Sequence, residues 1–155
     1  MINIYVTEKL QDVLNEKAIK EYASAYNGES VGLDLYSVSD DIKVFPDTRC
    51  GAMINSGLKV KIPHGYVGLI KERGSITKTS LKSRAGVIDP GFTGEIFVNL
   101  VNVGSKEEII FKGNKLPVQL VVVKCDYGFI QVSESEYLNI TTQSARQSGQ
   151  VGSSD

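Results

Sequence analysis

The chain of 155 residues is long enough for one domain with a sizeable hydrophobic core. Its 17 basic and 18 acidic residues give a formal net charge of -1, which excludes a general electrostatic attraction to nucleic acid or to a membrane surface. One histidine and two separated cysteines are too few for a zinc site of the usual ligand count, and the histidine is not placed beside a candidate nucleophile. The unpatterned cysteines favour a reducing compartment.

The N-terminal region predicts a short strand followed by one long helix. Apolar and polar residues alternate over 2–6, which is the period of a strand. Over 8–26 the apolar residues recur at intervals of three and four, and Thr7 is placed to cap the helix that this spacing predicts. Asn27 and Gly28 both tolerate a positive φ, so we expect the helix to end there.

Neither the N-terminus nor any internal run predicts a secretion signal or a membrane span. The first residues lack a basic region followed by a long apolar stretch, and no apolar run reaches about 18 residues. We therefore expect a soluble, intracellular protein of the cytoplasm.

From residue 31 onward the sequence has the two-residue period of β-strands. Short apolar runs alternate with turn sequences at a spacing of about ten residues, which predicts an all-β, jelly-roll-like sandwich or barrel with the N-terminal helix inserted. A glycine-rich strand-to-helix phosphate loop is absent from the sequence, so a Rossmann or P-loop domain is excluded. The predicted strands are 33–36, 42–45, 52–62, 66–70, 96–103, 108–111, 116–123 and 129–132.

One carboxylate stands in a glycine-punctuated turn between two strand-like runs. Val87 and Ile88 lead into Asp89, and Pro90-Gly91 follows before the run at 96–103. We therefore expect a hairpin with Asp89 at its shoulder. An aspartate in such a turn commonly caps its own backbone, so the turn alone does not make it catalytic.

The composition changes near the C-terminus, where residues 139–155 carry hardly an apolar side chain. This composition is typical of a disordered tail. It also suits a mobile phosphate clamp, because glycines let backbone N–H groups turn toward a ligand, hydroxyls donate, and an arginine supplies a charged fork. We expect a β domain over 1–138 and a flexible tail over 139–155, in which Arg146, Gly152, Ser153 and Ser154 are candidate phosphate ligands.

Five separated blocks resemble, in order, the motifs of the trimeric deoxyuridine triphosphatase (dUTPase) family. The third block is the most specific, since Gly86-Val-Ile-Asp-Pro-Gly-Phe-Thr-Gly-Glu95 is similar to the family's Gly-x-Ile-Asp-x-x-Tyr-x-Gly-Glu. The resemblance covers nearly all of the chain from residue 31 to its end. The other blocks are Val31-Gly-Leu-Asp-Leu-Tyr-Ser37, Gly68-Leu-Ile-Lys-Glu-Arg-Gly-Ser75, Gly113-Asn-Lys-Leu-Pro-Val-Gln-Leu120 and Arg146-Gln-Ser-Gly-Gln-Val-Gly-Ser-Ser-Asp155.

The resemblance implies Mg²⁺-dependent hydrolysis of dUTP to dUMP and pyrophosphate by a homotrimer whose sites are shared between subunits. Asp89 would hold and deprotonate the attacking water, and Asp34 would hold Mg²⁺ through water. A triphosphate also needs many donors and cations. The implied substrate ligands are Arg73, Gly74, Ser75, Ser83, Gly86, Ile88, Phe92, Gln119, Arg146, Val151, Gly152, Ser153 and Ser154.

The sequence departs from the family's pattern mainly where the base and sugar are recognised. Phe92 replaces a tyrosine against the deoxyribose, Ser83 replaces an asparagine that helps to read the base, and Val151 replaces an aromatic residue that covers it. The fourth block has one residue more than usual before Gln119, and Lys115 replaces an arginine. These changes leave open the same chemistry on another deoxynucleotide, such as dCTP, dTTP or a 5-modified dUTP.

Two alternatives come from other functional classes. The dCTP deaminase relatives share the fold and a similar Asp-Pro-Gly-aromatic-x-Gly run, but Asn99 stands where they have a catalytic glutamate, so deamination is not expected. A non-catalytic trimeric relative that binds nucleotide or regulates a partner would explain the altered tail. It would not explain the presence of Asp34, Arg73 and Asp89.

Overall fold

A computed structural model describes residues 2–25, 28–46, 50–84, 86–126 and 128–141, and the all-β class that the sequence predicts is confirmed. The helices are α1 (Glu8–Glu16) and α2 (Glu134–Thr141), with a 3-10 helix at Gly74–Lys78. The strands are β1 (Asn3–Val6), β2 (Gly32–Tyr36), β3 (Ile42–Val44), β4 (Ala52–Asn55), β5 (Leu58–Lys61), β6 (Tyr66–Glu72), β7 (Leu81–Arg84), β8 (Val87–Ile88), β9 (Phe97–Asn102), β10 (Glu108–Ile110) and β11 (Lys115–Lys124).

The strands form two larger sheets and two strand pairs, all antiparallel. The first sheet has the order β2-β11-β6-β8 and the second has the order β4-β9-β7. The pairs are β1 with β5 and β3 with β10. Burial alternates along β9, where Val98, Leu100 and Asn102 are buried, as expected for a strand with one face in the core.

The N-terminal helix is shorter than its spacing predicts. The Thr7 hydroxyl accepts a hydrogen bond from the backbone N–H of Leu10, so the expected cap is present. The helix then ends at Glu16, because Ala18 adopts a φ of +54° and the Ile19 N–H donates to the Leu14 carbonyl at 2.9 Å. Residues 17–25 continue as irregular backbone whose apolar side chains pack onto the strands, and the expected end at Asn27 lies outside the described residues.

The predicted strand over 52–62 is divided in two by Ser56 and Gly57. The Ser56 hydroxyl donates to the Ile96 carbonyl at 2.7 Å, and Gly57 has a φ of +68°. A Cβ at Gly57 would lie 2.7 Å from the Cβ of Leu10, so the absence of a side chain there lets α1 approach the turn.

The C-terminal part differs from the sequence prediction. Residues 129–132 do not form a strand, and α2 follows them although no helix is predicted there. Because α2 spans 134–141, the expected boundary between domain and tail at 138/139 falls inside a helix. No helix in the described ranges has both the length and the apolar character needed to cross a membrane.

The segment that carries Asp89 is a crossing between sheets, so the expected hairpin is wrong. β8 pairs with β6 in the first sheet, whereas β9 belongs to the second. Before β9 begins at Phe97, the Glu95 carboxylate accepts the Gly57 N–H at 2.9 Å, and the Ile96 N–H donates to the Leu58 carbonyl at 2.8 Å. Alternating sequence on either side of a turn cannot distinguish this crossing from a hairpin, since both have the same local pattern.

Candidate functional site

Asp34, in β2, is held between two cations. Arg73 Nε lies 2.6 Å from one carboxylate oxygen and Lys115 Nζ lies 2.9 Å from the other, while the Asp34 side chain is only 17% exposed. The hydrogen bond to Asp34 raises the pKa of Lys115 above its ordinary value, against the opposing effect of partial burial. The Lys115 ammonium also lies 5.8 Å from the centre of the Tyr36 ring. These three ionised groups leave a net charge of one positive unit at the surface.

A β-bulge in β11 holds Arg73 in place. Between Lys115 and Gln119 the register of β11 against β2 shifts, so that four residues of β11 span two residues of β2. The Pro117 carbonyl at this bulge accepts the Arg73 N–H at 2.9 Å, and the Leu116 carbonyl accepts from its guanidinium at 3.4 Å. The additional residue that the sequence shows before Gln119 therefore falls in a structural feature that positions the arginine.

Tyr22 supports β2 from its unpaired edge. Since β2 is the first strand of its sheet, the outer edge at Asp34 pairs with no other strand among the described residues. The Tyr22 hydroxyl donates to the Asp34 carbonyl at 2.5 Å, and the Tyr22 ring packs edge-on against Tyr36 at 6.1 Å. Burial, followed by the influence of Tyr36 and Asp34, raises the pKa of Tyr22, so its hydroxyl remains a donor. Sequence analysis missed this role because Tyr22 fits the helical spacing over 8–26.

The other expected phosphate ligands of the β domain lie beside Arg73 and Asp34. Gly74 and Ser75 begin the 3-10 helix directly after Arg73, and the Ser75 hydroxyl accepts from the Arg73 guanidinium at 3.5 Å. Gln119 stands opposite Asp34 in the sheet register. We call Asp34, Arg73, Ser75, Lys115 and Gln119 the Asp34 cluster. Lys115 is the one member of this cluster that was not expected to be a site residue. The sequence showed it only as a departure from the family's pattern.

Residues 86–94 form the second group, which we call the Asp89 turn. Ile88 pairs with Gly68, and the exposed Asp89 follows it directly. The Phe92 N–H donates to the Asp89 carbonyl at 3.0 Å, which closes the turn. A Cβ at Gly94 would lie 2.8 Å from the tip of the Phe92 ring, so this glycine lets the ring approach the backbone closely.

Gly86 is expected to be intolerant of a side chain. It adopts a φ of +133°, and a Cβ there would lie 2.8 Å from the Cβ of Ile70 and 3.1 Å from the Ile70 carbonyl oxygen. Gly86→Ala should therefore lower the free energy of unfolding by about 2 to 3 kcal/mol. Gly91→Ala is the matched control, because no heavy atom lies within 4 Å of its added Cβ. Urea denaturation of both variants measures the difference, and equal stabilities would contradict the strained geometry.

A cavity of about 480 Å³ separates the Asp89 turn from the second sheet. Ser83 and Gly86, two of the expected substrate ligands, line it together with Ile70 and Asn99. The Ser83 N–H donates to the Glu72 carboxylate at 3.0 Å, and the Ser83 hydroxyl lies 3.4 Å from the same oxygen. Glu72 is thus a neighbour of the candidate base site that sequence analysis did not assign.

The structure does not bring Asp34 and Asp89 together in one chain. In the sheet register Asp34 is level with Lys71 of β6, whereas Ile88 is level with Gly68 of the same strand. Asp89 is therefore displaced from Asp34 by about four residues along the strand direction. Three inter-strand gaps also separate β2 from β8. With about 4.8 Å per gap and about 3.3 Å per residue, the Cα atoms of the two aspartates are roughly 20 Å apart. The remaining expected site residues, Arg146, Val151, Gly152, Ser153 and Ser154, lie outside the described residues.

Comparison with known sequences extends the resemblance over most of the chain. The family model for dUTPase matches residues 20–155. The deoxyuridine 5'-triphosphate nucleotidohydrolase of Mycobacterium leprae is 34% identical over 134 residues, which cover 84% of this chain and 84% of that protein. β1 and α1 therefore precede the region that the family model matches.

Solved structures show the same fold at lower sequence identity. A Staphylococcus bacteriophage 80alpha dUTPase variant with dUpNHpp matches with a TM-score of 0.78 at 21% identity, covering 99% of this chain and 98% of that one. The dUTPase from phage phi11 of S. aureus, whose structure describes the coordination of a structural Mg(II) ion, matches with a TM-score of 0.69 at 21% identity, covering 86% and 97%.

Proposed function

This chain belongs to the dUTPase family and is a dUTP hydrolase, and from that premise we propose that it forms dUMP and pyrophosphate with a water that Asp89 activates. The observation that carries the proposal is the family match, which spans residues 20–155 and includes Asp34, Arg73 and Asp89. The Asp34 cluster supports it, because cations and hydroxyl and amide groups converge there on the surface of the first sheet.

Asp89 acts as the general base in this proposal. The attacking water forms a bond to the α-phosphorus, its proton passes to the Asp89 carboxylate, and the bond from the α-phosphorus to the bridging oxygen breaks to release pyrophosphate. The turn suits this role, because Asp89 is exposed and its backbone is fixed by the hydrogen bond from Phe92.

The Asp34 cluster would hold the triphosphate, and Asp34 is the residue that would hold Mg²⁺ through water. Arg73 contacts one oxygen of the Asp34 carboxylate and Lys115 contacts the other. Each oxygen keeps a further lone pair that could accept a hydrogen bond from metal-bound water. In the described ranges no three His, Cys, Asp or Glu side chains are grouped as a metal cage. This fits an ion that keeps several waters and takes its other ligands from the substrate. When bound, Mg²⁺ would neutralise phosphate charge and orient the triphosphate.

A site shared between the subunits of a homotrimer accounts for the separation of the two groups. The base and the triphosphate ligands must both lie within a few ångströms of one substrate, which a span of roughly 20 Å within one chain forbids. Asp89 of one subunit would therefore face the Asp34 cluster of another. Apolar side chains exposed in the single chain, including Phe129, Ile130 and Ile140, supply surface for such an assembly.

The test is pyrophosphate release with Mg²⁺ across dUTP, dTTP, dCTP, dATP, dGTP and UTP. We expect release from dUTP at a kcat/KM at least about 100-fold above that for the others, because a site that reads a base by hydrogen bonds rejects partners that leave its polar groups unpaired. Preference for dCTP or dTTP would keep the hydrolytic mechanism and assign a different base to the cavity at Ser83. Release from none would favour a protein that binds nucleotide without hydrolysis.

A further inference from the structure

Lys71 stands in the same row as two residues of the Asp34 cluster. Gln119 in β11 pairs with Asp34 on one side and with Lys71 on the other, so the three residues lie side by side across β2, β11 and β6. Residues directly opposite each other in a sheet project to the same face. Lys71 is exposed, whereas its neighbour Ile70 is buried in the core, which places the lysine on the outer face.

The charge on this face is too small for the proposed substrate. A triphosphate carries about four negative charges, and productive binding requires most of them to be met by cations. Arg73 and Lys115 share the single carboxylate of Asp34, so the side chains of the cluster offer one net positive charge. Mg²⁺, when bound, would add two, which still leaves the roughly four negative charges of the triphosphate incompletely matched. A further cation within reach of the same phosphates would reduce this deficit.

Lys71 is available for that role. Its ammonium makes no ion pair with the part of the chain that the structure describes, whereas Lys82 pairs with Glu72 at 3.8 Å and Lys43 pairs with Glu107 at 3.2 Å. Its Cα is about 10 Å from that of Asp34, two inter-strand spacings away. The flexible four-carbon stem of lysine allows the ammonium to approach a chain of phosphates lying over Gln119.

We propose that Lys71 binds the β- and γ-phosphates of the substrate, an assignment that rests on the proposed function. The α-phosphate must lie at the water held by Asp89, so the two outer phosphates extend along the face that carries the donors. There the ammonium adds a positive charge to the part of the substrate that leaves as pyrophosphate.

Lys71→Met tests the assignment, because methionine keeps the length of the stem and removes the charge. We expect this variant to bind a non-hydrolysable imido analogue of dUTP about tenfold more weakly and to bind dUMP as the unchanged protein does. KM for dUTP should rise by a similar factor while kcat changes less than about twofold. Lys71→Arg should restore most of the affinity. Lys61→Met, at an exposed position of β5 in the β1-β5 pair, is the matched control and should change neither ligand's affinity.

The outcomes separate this inference from the proposed function. Unaltered binding of the analogue by Lys71→Met would overturn the assignment even if the unchanged protein hydrolyses dUTP. Equal weakening for dUMP and the analogue would also overturn it, since Lys71 would then not act on the outer phosphates. If the unchanged protein hydrolysed no nucleotide, the proposed function would be refuted. Calorimetric binding of dUMP and of the imido analogue would still decide whether Lys71 recognises the outer phosphates.

Discussion

Asp89→Asn is expected to lower kcat for dUTP by about 1000-fold while nucleotide binding stays within a few-fold of the unchanged protein. General-base assistance is worth about 100- to 10,000-fold, and an amide of nearly the same volume cannot accept the proton from water. Asp89 is exposed, and what closes the turn is a backbone hydrogen bond between residues 89 and 92. The substitution should therefore leave the fold intact. Single-turnover pyrophosphate release measures the chemical step, and calorimetry with the imido analogue measures binding.

Asp40→Asn is the control for the loss of one surface carboxylate, because Asp40 is also exposed and lies outside both groups of the candidate site. It should retain full activity. If Asp89→Asn released pyrophosphate as fast as the unchanged protein, another group would have to be the base. If Asp89→Asn lost thermal stability as well as activity, the loss of activity could not be assigned to the removal of the base.

Mixing two inactive variants should restore activity if each site combines the Asp89 turn of one subunit with the Asp34 cluster of another. Asp89→Asn lacks the base, and Arg73→Gln lacks a phosphate ligand and should lose about 100-fold in kcat/KM. In trimers assembled at random from equal amounts, about one quarter of the sites combine an intact Asp89 from one subunit with an intact Arg73 from another. The expected activity of the mixture is thus about a quarter of that of the unchanged protein.

Subunit exchange is the necessary control for this experiment. The same two preparations, mixed as assembled proteins without co-refolding, should remain inactive, and the assembled mass from size-exclusion chromatography with light scattering should be that of a trimer. If the co-refolded mixture also remained inactive, this result would contradict a shared site. It would then require a rearrangement within one chain that closes the span of roughly 20 Å between the backbone positions of Asp34 and Asp89.

Local patterns predicted most of the strands but not the points at which the chain changes sheet. The period of two depends on one face of a strand being buried, and it correctly predicted the strands that contain Leu35, Leu100 and Leu120. It also predicted a strand at 129–132, where the described part of the chain forms no strand pairing. The period of three and four over 8–26 continued past the real end of α1, because Ile19 and Tyr22 point toward the core from irregular backbone.

The candidate site was predicted in part for a similar reason. Short motifs identified Asp34, Arg73 and Gln119, which the structure brings together although they lie in three different blocks of sequence. The pairing of Lys115 with Asp34 and the neighbourhood of Lys71 depend on strand register, and register is not visible in any local pattern. The roles assigned to these residues remain predictions until the variants are measured.

The contribution of α1 to the core means that the folding unit begins before the region that the family model matches. The family match begins at residue 20, yet Leu10, Val13 and Leu14 are almost completely buried in the same cluster as the strands. Burying three such side chains contributes about 5 to 8 kcal/mol, which is comparable to the entire stability of a typical domain. A fragment that begins at residue 20 would therefore lack part of its hydrophobic core, so the N-terminal segment belongs to the folding unit that holds the candidate site in shape.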